Sequence, residues 1–206
     1  MTTKPRQLTY AERTARFPLQ FEIELNRNGR AEVKVPVSWE QANLVRLGPY
    51  SNIPAGTVVR DESALTFAPR VNINAAPVFS AFFETLKAAG LMSDILTYDG
   101  GFYPRLKRGV ELPKIGASKD AYGRLLSNHS RGTAIDLNAK WNPMGMHAAE
   151  KGQPGYLGRA LEVARAVRVN VETAGHVWPA GLVCGADWKG ASIDAQHLEV
   201  GSWEAA

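Results

Sequence analysis

The sequence predicts an α+β fold, with a small mixed or antiparallel sheet and flanking helices. Helical and strand patterns are interspersed without the regular alternation that a parallel sheet requires, and most strand patterns are short. Of the 206 residues, 45% are hydrophobic and 21% are charged, as in ordinary globular proteins that bury a core. We therefore expect one domain, or one domain with a small appendage.

The N-terminal part predicts a β-hairpin. Residues 1–18 are polar and basic and form a lead-in to it. Apolar and polar residues then alternate over 21–25 and again over 31–37, on either side of Asn28-Gly29. Asn-Gly suits the positive φ angles of a type I′ turn, so this pattern indicates two paired strands.

Next along the chain, Ser38 and Gln41 resemble a capping box that starts a short helix to about Leu47. Residues 48–74 are rich in Gly, Pro, Asn and Ser, which predicts loops with one or two short strands. A helix is expected over 74–89, because an apolar stripe follows Pro77 and Gly90 ends the pattern.

The second half predicts short strands around one helix. Strands are expected at 96–98, 133–137, 182–183 and 196–200, and residues 107–126 form a long connection. A helix is expected from about Leu157 to Thr173. Cys184, the single cysteine, lies in a short apolar run and is interpreted as a buried structural thiol.

The segment Ser127–Asp136 reads Ser-x-His-x-x-Gly-x-Ala-x-Asp. Gly132 permits a tight turn, so His129 can fold back towards Asp136. Asp136 is flanked by Ile135 and Leu137, which should face the core, so its carboxylate should point into a cleft.

A second segment contains Asp194 and His197, three residues apart. On one strand they would face opposite sides, so we expect Asp194 on the preceding loop and His197 on the strand. Two histidines and one carboxylate could bind zinc with a position left open, and Asp194 could serve as the base that takes a proton from water. Residue types and spacing alone leave open that the histidines are structural, as we interpret His147 and His176.

Three blocks together resemble the D-alanyl-D-alanine carboxypeptidase family of zinc peptidases, which includes VanX- and VanY-like enzymes and the L-alanyl-D-glutamate endopeptidases of phage endolysins. These blocks are Ser127–Asp136, the Asp187-Trp188-Lys189 and Asp194–Glu199 segments, and Tyr98–Arg105. The similarity spans about residues 75–201.

The resemblance implies a role for each matching residue. The zinc ligands would be His129, Asp136 and His197, and the catalytic base would be Asp194. Arg105 would bind a substrate carboxylate or stabilise the developing oxyanion, as a forked guanidinium can. Two further residues, Ser127 and Trp188, would contact the substrate.

The chain departs from the family pattern at three positions. The carboxypeptidase branch usually carries Glu at the base position, so Asp194 points to the endopeptidase branch. Gln196 and Leu198 replace a Pro and a Phe, and we interpret both as packing positions. Glu199 is a possible ligand by residue type, but the resemblance makes it a structural residue near the metal.

We therefore expect a zinc-dependent peptidoglycan peptidase, like those of phage endolysins, that cuts the stem peptide at the bond between L-Ala and D-Glu. The alternatives are a D-Ala-D-Ala carboxypeptidase or dipeptidase, and a non-catalytic zinc protein that binds muropeptide or a phage partner. Residues 71–206 would form the peptidase domain. Residues 1–70 would form an extension, either a wall-binding appendage or a layer packed on the core.

Charge and hydropathy restrict the possible partners and the cellular location of the protein. The net charge is +4, and the basic residues are scattered along the chain apart from a cluster at 105–108. No nucleic-acid-binding module is visible either, so we expect no nucleic-acid partner. No apolar run approaches the ~20 residues of a membrane span. The N-terminus lacks the apolar segment of a secretory signal. We expect a monomer made in the cytoplasm, which acts on the wall after release or is carried in a phage particle.

Overall fold

A computed structural model describes residues 4–28, 31–53, 65–108, 110, 118–146 and 148–205. The helices are α1 (Tyr10–Arg16), α2 (Val37–Asn43), α3 (Ala76–Ala88), α4 (Lys119–Leu125) and α5 (Gly158–Ala166). The strands are β1 (Arg6–Gln7), β2 (Glu22–Leu25), β3 (Ala31–Lys34), β4 (Leu44–Arg46), β5 (Tyr50–Ser51), β6 (Thr66–Phe67), β7 (Arg70–Asn72), β8 (Tyr98–Gly100), β9 (Ala134–Leu137), β10 (Val169–Thr173), β11 (His176–Cys184) and β12 (His197–Ser202).

The central sheet has the strand order β10-β11-β12-β9-β8, and all its pairs are antiparallel. One edge of β12 is shared, because β9 pairs with its first half and β1 pairs with its last two residues. Three two-stranded ribbons, β2–β3, β4–β7 and β5–β6, complete the described strands. The α+β class and the antiparallel sheet are thus confirmed.

Helix α3 forms the middle of the core, as its apolar stripe predicts. Its buried face consists of aromatic and aliphatic side chains that pack towards α5, β10 and β11. The helix is followed by Gly90 at φ +68°, a backbone conformation that glycine adopts without strain. Burial of this face stabilises the layer that supports the sheet.

The polar lead-in predicted for residues 1–18 is wrong, because the chain forms β1 and α1 there. Thr9 and Glu12 make a full capping box at the start of α1. Leu8 and Phe17 on either side of the helix are buried in the main core. The pattern Thr-x-x-Glu was the available signal for this helix start.

Three predicted boundaries also differ. Helix α2 ends at Asn43, and Leu44–Arg46 pairs with β7 as a strand. The connection predicted over 107–126 contains α4. The helix expected to reach Thr173 ends at Ala166, and the rest is β10, where Val169 and Val171 alternate with polar residues and suit a strand.

The predicted hairpin is present as β2 and β3, with Ile23 opposite Val33. Part of its turn, Gly29, lies outside the described residues, as does His147. His176 is exposed at the start of β11 and not at a helix end.

In the part of the chain that is described, no helix combines the length and apolarity needed to cross a bilayer. The division at residue 70 stays a prediction.

Candidate metal centre

The antiparallel register of β9 and β12 places Asp136 directly opposite His197. Opposite residues on neighbouring strands project from the same face of the sheet, so the two side chains meet. Asp136 Oδ1 lies 3.0 Å from His197 Nδ1. This pairing depends on strand register, which joins residues 61 positions apart in the chain.

His129 reaches the same carboxylate from a 3₁₀ turn at Asn128–Arg131. Gly132 ends that turn at φ +67°, which returns the chain into β9. His129 Nε2 then lies 3.2 Å from Asp136 Oδ2. The tight turn predicted at Gly132 is therefore what brings the first histidine to the aspartate.

The two imidazoles use opposite nitrogens at the centre. His129 Nδ1 donates to the carbonyl oxygen of Gly101 at 2.8 Å, which leaves Nε2 facing Asp136. His197 Nε2 lies 3.1 Å from Glu199 Oε2, which leaves Nδ1 facing Asp136. A hydrogen bond at the far nitrogen fixes the tautomer and the ring orientation of a metal-binding histidine.

Glu199 occupies a supporting position behind His197. Its side chain is only 2% exposed, and Asn128 Nδ2 donates to the same Oε2 that contacts His197. Residues 197 and 199 share one face of β12, as strand alternation requires. Glu199 thus contacts the ligand and lies outside the metal-binding group, in line with the structural role expected for it.

The three side chains fit a zinc ion. One donor atom from each of His129, Asp136 and His197 lies within 4.8 Å of the other two. Among the described residues, the buried Nε2 of His129 lies 3.2 Å from Asp136 Oδ2 but makes no hydrogen bond of good geometry, so this nitrogen is free to bind a metal. Two imidazole nitrogens and one carboxylate are a donor set that zinc prefers in catalytic sites.

The electrostatics of the centre favour a cation. Burial acts to raise the pKa of Asp136, but the imidazoles of His129 and His197 outweigh it and hold that pKa below its usual range. Burial acts to lower the pKa of His197, but Asp136 and Glu199 raise it to about 10. The same negative surrounding that holds a proton on His197 favours a metal cation, which would displace that proton on binding.

Asp194 lies on the loop immediately before β12, as its spacing from His197 predicts. Its backbone N–H donates to Gly185 O, and its carbonyl accepts from His197 N–H at 2.9 Å. Burial raises the pKa of Asp194, while a hydrogen bond from Gln196 Nε2 to Oδ1 at 2.8 Å opposes that rise. Gln196, interpreted from the sequence as a packing position, therefore also orients Asp194.

The metal centre opens into a pocket of about 570 Å³, a size typical of ligand sites. Its walls include Asp136, Asp194 and His197 together with all three predicted substrate-contacting residues, Arg105, Ser127 and Trp188. The N-terminal segment, which the sequence did not associate with the site, also contributes to the wall through Gln7, Leu8, Tyr10 and Arg13.

The three predicted substrate-contacting residues differ in whether their side chains already make hydrogen bonds within the described part of the chain. Arg105 makes no side-chain hydrogen bond or ion pair within the described part of the chain, and burial lowers its pKa. Trp188 lies with its ring centroid 5.4 Å from that of His197, and its buried Nε1 has no partner among the residues described. Ser127 Oγ accepts from His129 N–H at 3.4 Å and so caps the 3₁₀ turn.

Comparison with family models supports the resemblance. Residues 121–200 match the model of a family described as D-alanyl-D-alanine carboxypeptidase. This segment contains His129, Asp136, Asp194 and His197. The match confirms the predicted family resemblance over this segment and supports a zinc metallopeptidase that acts on peptidoglycan-type substrates. Comparisons with curated proteins and with solved structures gave no match.

Proposed function

We propose that this protein is a zinc-dependent peptidoglycan endopeptidase that hydrolyses the bond between L-Ala and D-Glu of the stem peptide. The observation that carries this proposal is the presence of Asp194 in the same pocket as the His129–Asp136–His197 group. A binding site needs only the ligands, whereas hydrolysis also needs a group that accepts a proton.

The ligand residues would hold the metal through His129 Nε2, an Asp136 oxygen and His197 Nδ1. Bound zinc supplies Lewis acidity, which polarises a carbonyl and lowers the pKa of water to roughly 7. The chain itself then supplies the proton acceptor and the substrate contacts. Glu199 and the Gly101 carbonyl keep the two rings oriented.

Asp194 would hold the proton removed from the attacking water and return it to the leaving amine. Its carboxylate is oriented by Gln196 and lies in a partly buried wall, where burial raises its pKa and so makes it a better proton acceptor. Gln196 donates to Oδ1, which leaves Oδ2 for the proton.

Arg105 would bind a carboxylate of the substrate. Its guanidinium is half-buried in the pocket wall and is unpaired with any described side chain, so its donors are available. Stem peptides carry several carboxylates, and a planar guanidinium recognises such groups with two parallel hydrogen bonds. Trp188 would supply an apolar wall beside His197.

The second candidate function is that of a D-Ala-D-Ala carboxypeptidase, and the description of the matching family favours it. The two reactions use the same ligands and base and differ in the bond presented to them. The shorter Asp194 side chain, in place of Glu, is what favours the endopeptidase. Like the phage endolysins, the proposed endopeptidase would act on the cell wall after its release.

Digestion of purified peptidoglycan with the zinc-loaded protein tests the proposal, with a chelator-treated sample as the control and mass spectrometry of the products. New peptides with N-terminal D-Glu, absent after chelation, are the expected result. Released D-Ala would instead identify the carboxypeptidase. Uncut muropeptides in a sample that still contains zinc would identify a binding protein and overturn both proposals.

A further inference from the structure

The contacts with the metal-binding group leave one carboxylate oxygen of Glu199 without a hydrogen bond among the described residues. This carboxylate is buried, and its Oε2 is used by His197 and Asn128. Its other oxygen, Oε1, has no hydrogen-bond partner among the described residues. A buried carboxylate that lacks compensation is costly, so a nearby positive charge is expected.

That charge comes from helix α1, outside the segment that matches the family model. Arg13 Nη2 lies 4.0 Å from Glu199 Oε1, and the Arg13 side chain is only 13% exposed. Of the lysines and arginines that the structure describes, Arg13 alone comes within 4.0 Å of a Glu199 oxygen. Lys107 also faces Glu199 electrostatically, but it is exposed.

Several contacts hold Arg13 in place. Its Nη2 also donates to the carbonyl oxygen of Leu8 at 3.0 Å, and β1 beside it pairs with β12. Tyr10, on the same helix, packs against Gly123 of α4, where an added methyl group would collide with the phenol oxygen. Contacts with β12 and with α4 therefore hold helix α1 against the pocket that it lines.

We propose that Arg13 is a positioning residue of the metal centre, acting through Glu199 on His197. This inference rests on the proposed zinc site. The contacts run in one line: Arg13 faces Glu199 Oε1, Glu199 Oε2 accepts from His197 Nε2, and His197 Nδ1 faces the centre. The N-terminal segment is thus part of the active site and not an attachment to it.

The proposal predicts a loss of zinc affinity when the charge at position 13 is removed. Arg13→Met keeps much of the length and apolar volume of the side chain but removes the cation that faces Glu199 Oε1. Groups that orient a metal ligand typically contribute 10- to 100-fold to metal affinity, and we expect a loss of about 10-fold for Arg13→Met. Arg13→Lys restores a positive charge and should remain within roughly 3-fold of the parent protein.

Arg16→Met is the matched control, because it removes the same residue type from the same helix. Arg16 pairs with Glu204 at 2.7 Å and lies over the ring of Trp178, away from the metal centre. This variant should lower the melting temperature and leave zinc affinity unchanged. It separates a weakened helix α1 from a lost contact with Glu199.

The measurement is zinc affinity of the full chain by competition with a chromophoric chelator, together with the absorption spectrum of the cobalt-loaded protein. The expected result is weaker zinc binding and an altered cobalt spectrum in Arg13→Met alone. In a Glu199→Gln background, Arg13→Met should produce no further loss, because the charge it balances is gone.

Two outcomes overturn the proposal. Equal zinc affinity in Arg13→Met and the parent protein would show that Arg13 does not position the centre. Equal losses in Arg13→Met and Arg16→Met would show that both act only on the stability of α1. These results leave the proposed function intact, whereas failure of the parent protein itself to bind zinc would overturn both.

Discussion

The two ring nitrogens of His197 have different partners: Nδ1 faces Asp136, and Nε2 contacts Glu199. Glu199 accepts from Nε2, so Nδ1 is the nitrogen that faces Asp136 and that would bind a metal ion. His129 uses the reverse arrangement, with its Nδ1 on the carbonyl of Gly101. In each ring, the nitrogen that is hydrogen-bonded to a supporting group cannot bind the metal. The partner of that nitrogen therefore determines which nitrogen faces the metal centre.

The ligands and the base should be separable by mutation. His129→Ala removes a donor atom, so zinc binding and hydrolysis should both be lost. Asp194→Asn keeps the shape of the side chain but cannot accept the proton, so zinc content should be unchanged while kcat falls by about 100-fold or more. Zinc analysis and peptidoglycan hydrolysis measure the two effects. Loss of zinc in Asp194→Asn would show that base and ligand are misassigned.

Gln196 should affect turnover without affecting the metal. Gln196→Ala removes the hydrogen bond to Asp194 Oδ1, so the carboxylate loses its orientation and kcat should fall roughly 10-fold. Zinc affinity should stay at the parent value. Gln153→Ala, on an exposed loop, is the control. An unchanged kcat in Gln196→Ala would reduce Gln196 to the packing role expected from the sequence.

At the scale of elements, the turn at Gly132 determines whether the first ligand reaches the second. A methyl group at this position would lie 2.6 Å from Asn72 N and 2.9 Å from Leu44 Cδ2, and φ is +67°. Both the backbone strain and the contacts with the two neighbouring strands β4 and β7 oppose any side chain here.

Gly132→Ala should therefore lower the free energy of unfolding by more than Gly175→Ala does. Gly175, in the turn between β10 and β11, has φ +76° but no atom within 4 Å of an added methyl group. It measures the cost of the φ angle alone, about 1 kcal/mol. Chemical denaturation compares the two, and zinc affinity should fall only in Gly132→Ala. Equal effects would show that the close contact at Gly132 is relieved easily.

The start of α1 should make stability depend on pH. The hydrogen bonds from Arg6 and Thr9 lower the pKa of Glu12 from 4.5 to about 2, although burial opposes this. A lowered carboxyl pKa contributes stability that is present above the unfolded value and is lost as the pH falls towards the folded value. The contribution of Glu12 should thus disappear between about pH 4.5 and pH 2.

Glu12→Gln should be less stable than the parent protein at pH 7, and the difference should shrink steadily below pH 4.5. Urea unfolding at several pH values measures this. Glu22→Gln, on an exposed position of β2, should show no such difference. A gap between Glu12→Gln and the parent that persists unchanged at pH 3 would rule out the ion pair with Arg6 as its source.

At the scale of the whole molecule, the proposed ion links segments that are distant in the chain. His129 and Asp136 precede α5, whereas His197 follows β11. A ligand that binds only the folded state adds stability by mass action, about 2.7 kcal/mol at a free concentration of 100 Kd. Zinc should therefore raise the melting temperature of the parent protein, and a chelator should reverse the rise. His129→Ala should show neither change; a rise there would place the ion elsewhere.

The local geometry of the candidate site could be predicted from the sequence. The spacing of His129, Gly132 and Asp136 predicted a turn followed by a buried strand, and Asp194 was expected on the loop before His197. These inferences succeeded because they depend on local backbone geometry, which a short segment specifies by itself. Helix α3 was predictable for the same reason, since its apolar stripe has a clear helical period.

Tertiary structure decided what local patterns could not. The ends of α2 and α5 depend on whether a partner strand is available, so the strands at Leu44–Arg46 and Val169–Thr173 were missed. The pairing of β1 with β12 brings Arg13 to Glu199 across 186 positions of the chain, counted from residue 13 to residue 199. The sequence by itself indicated which residues carry the side chains for a metal site and a proton acceptor. The sheet register and the docking of α1 decided which of them meet, because those contacts are long-range and leave no period in the sequence.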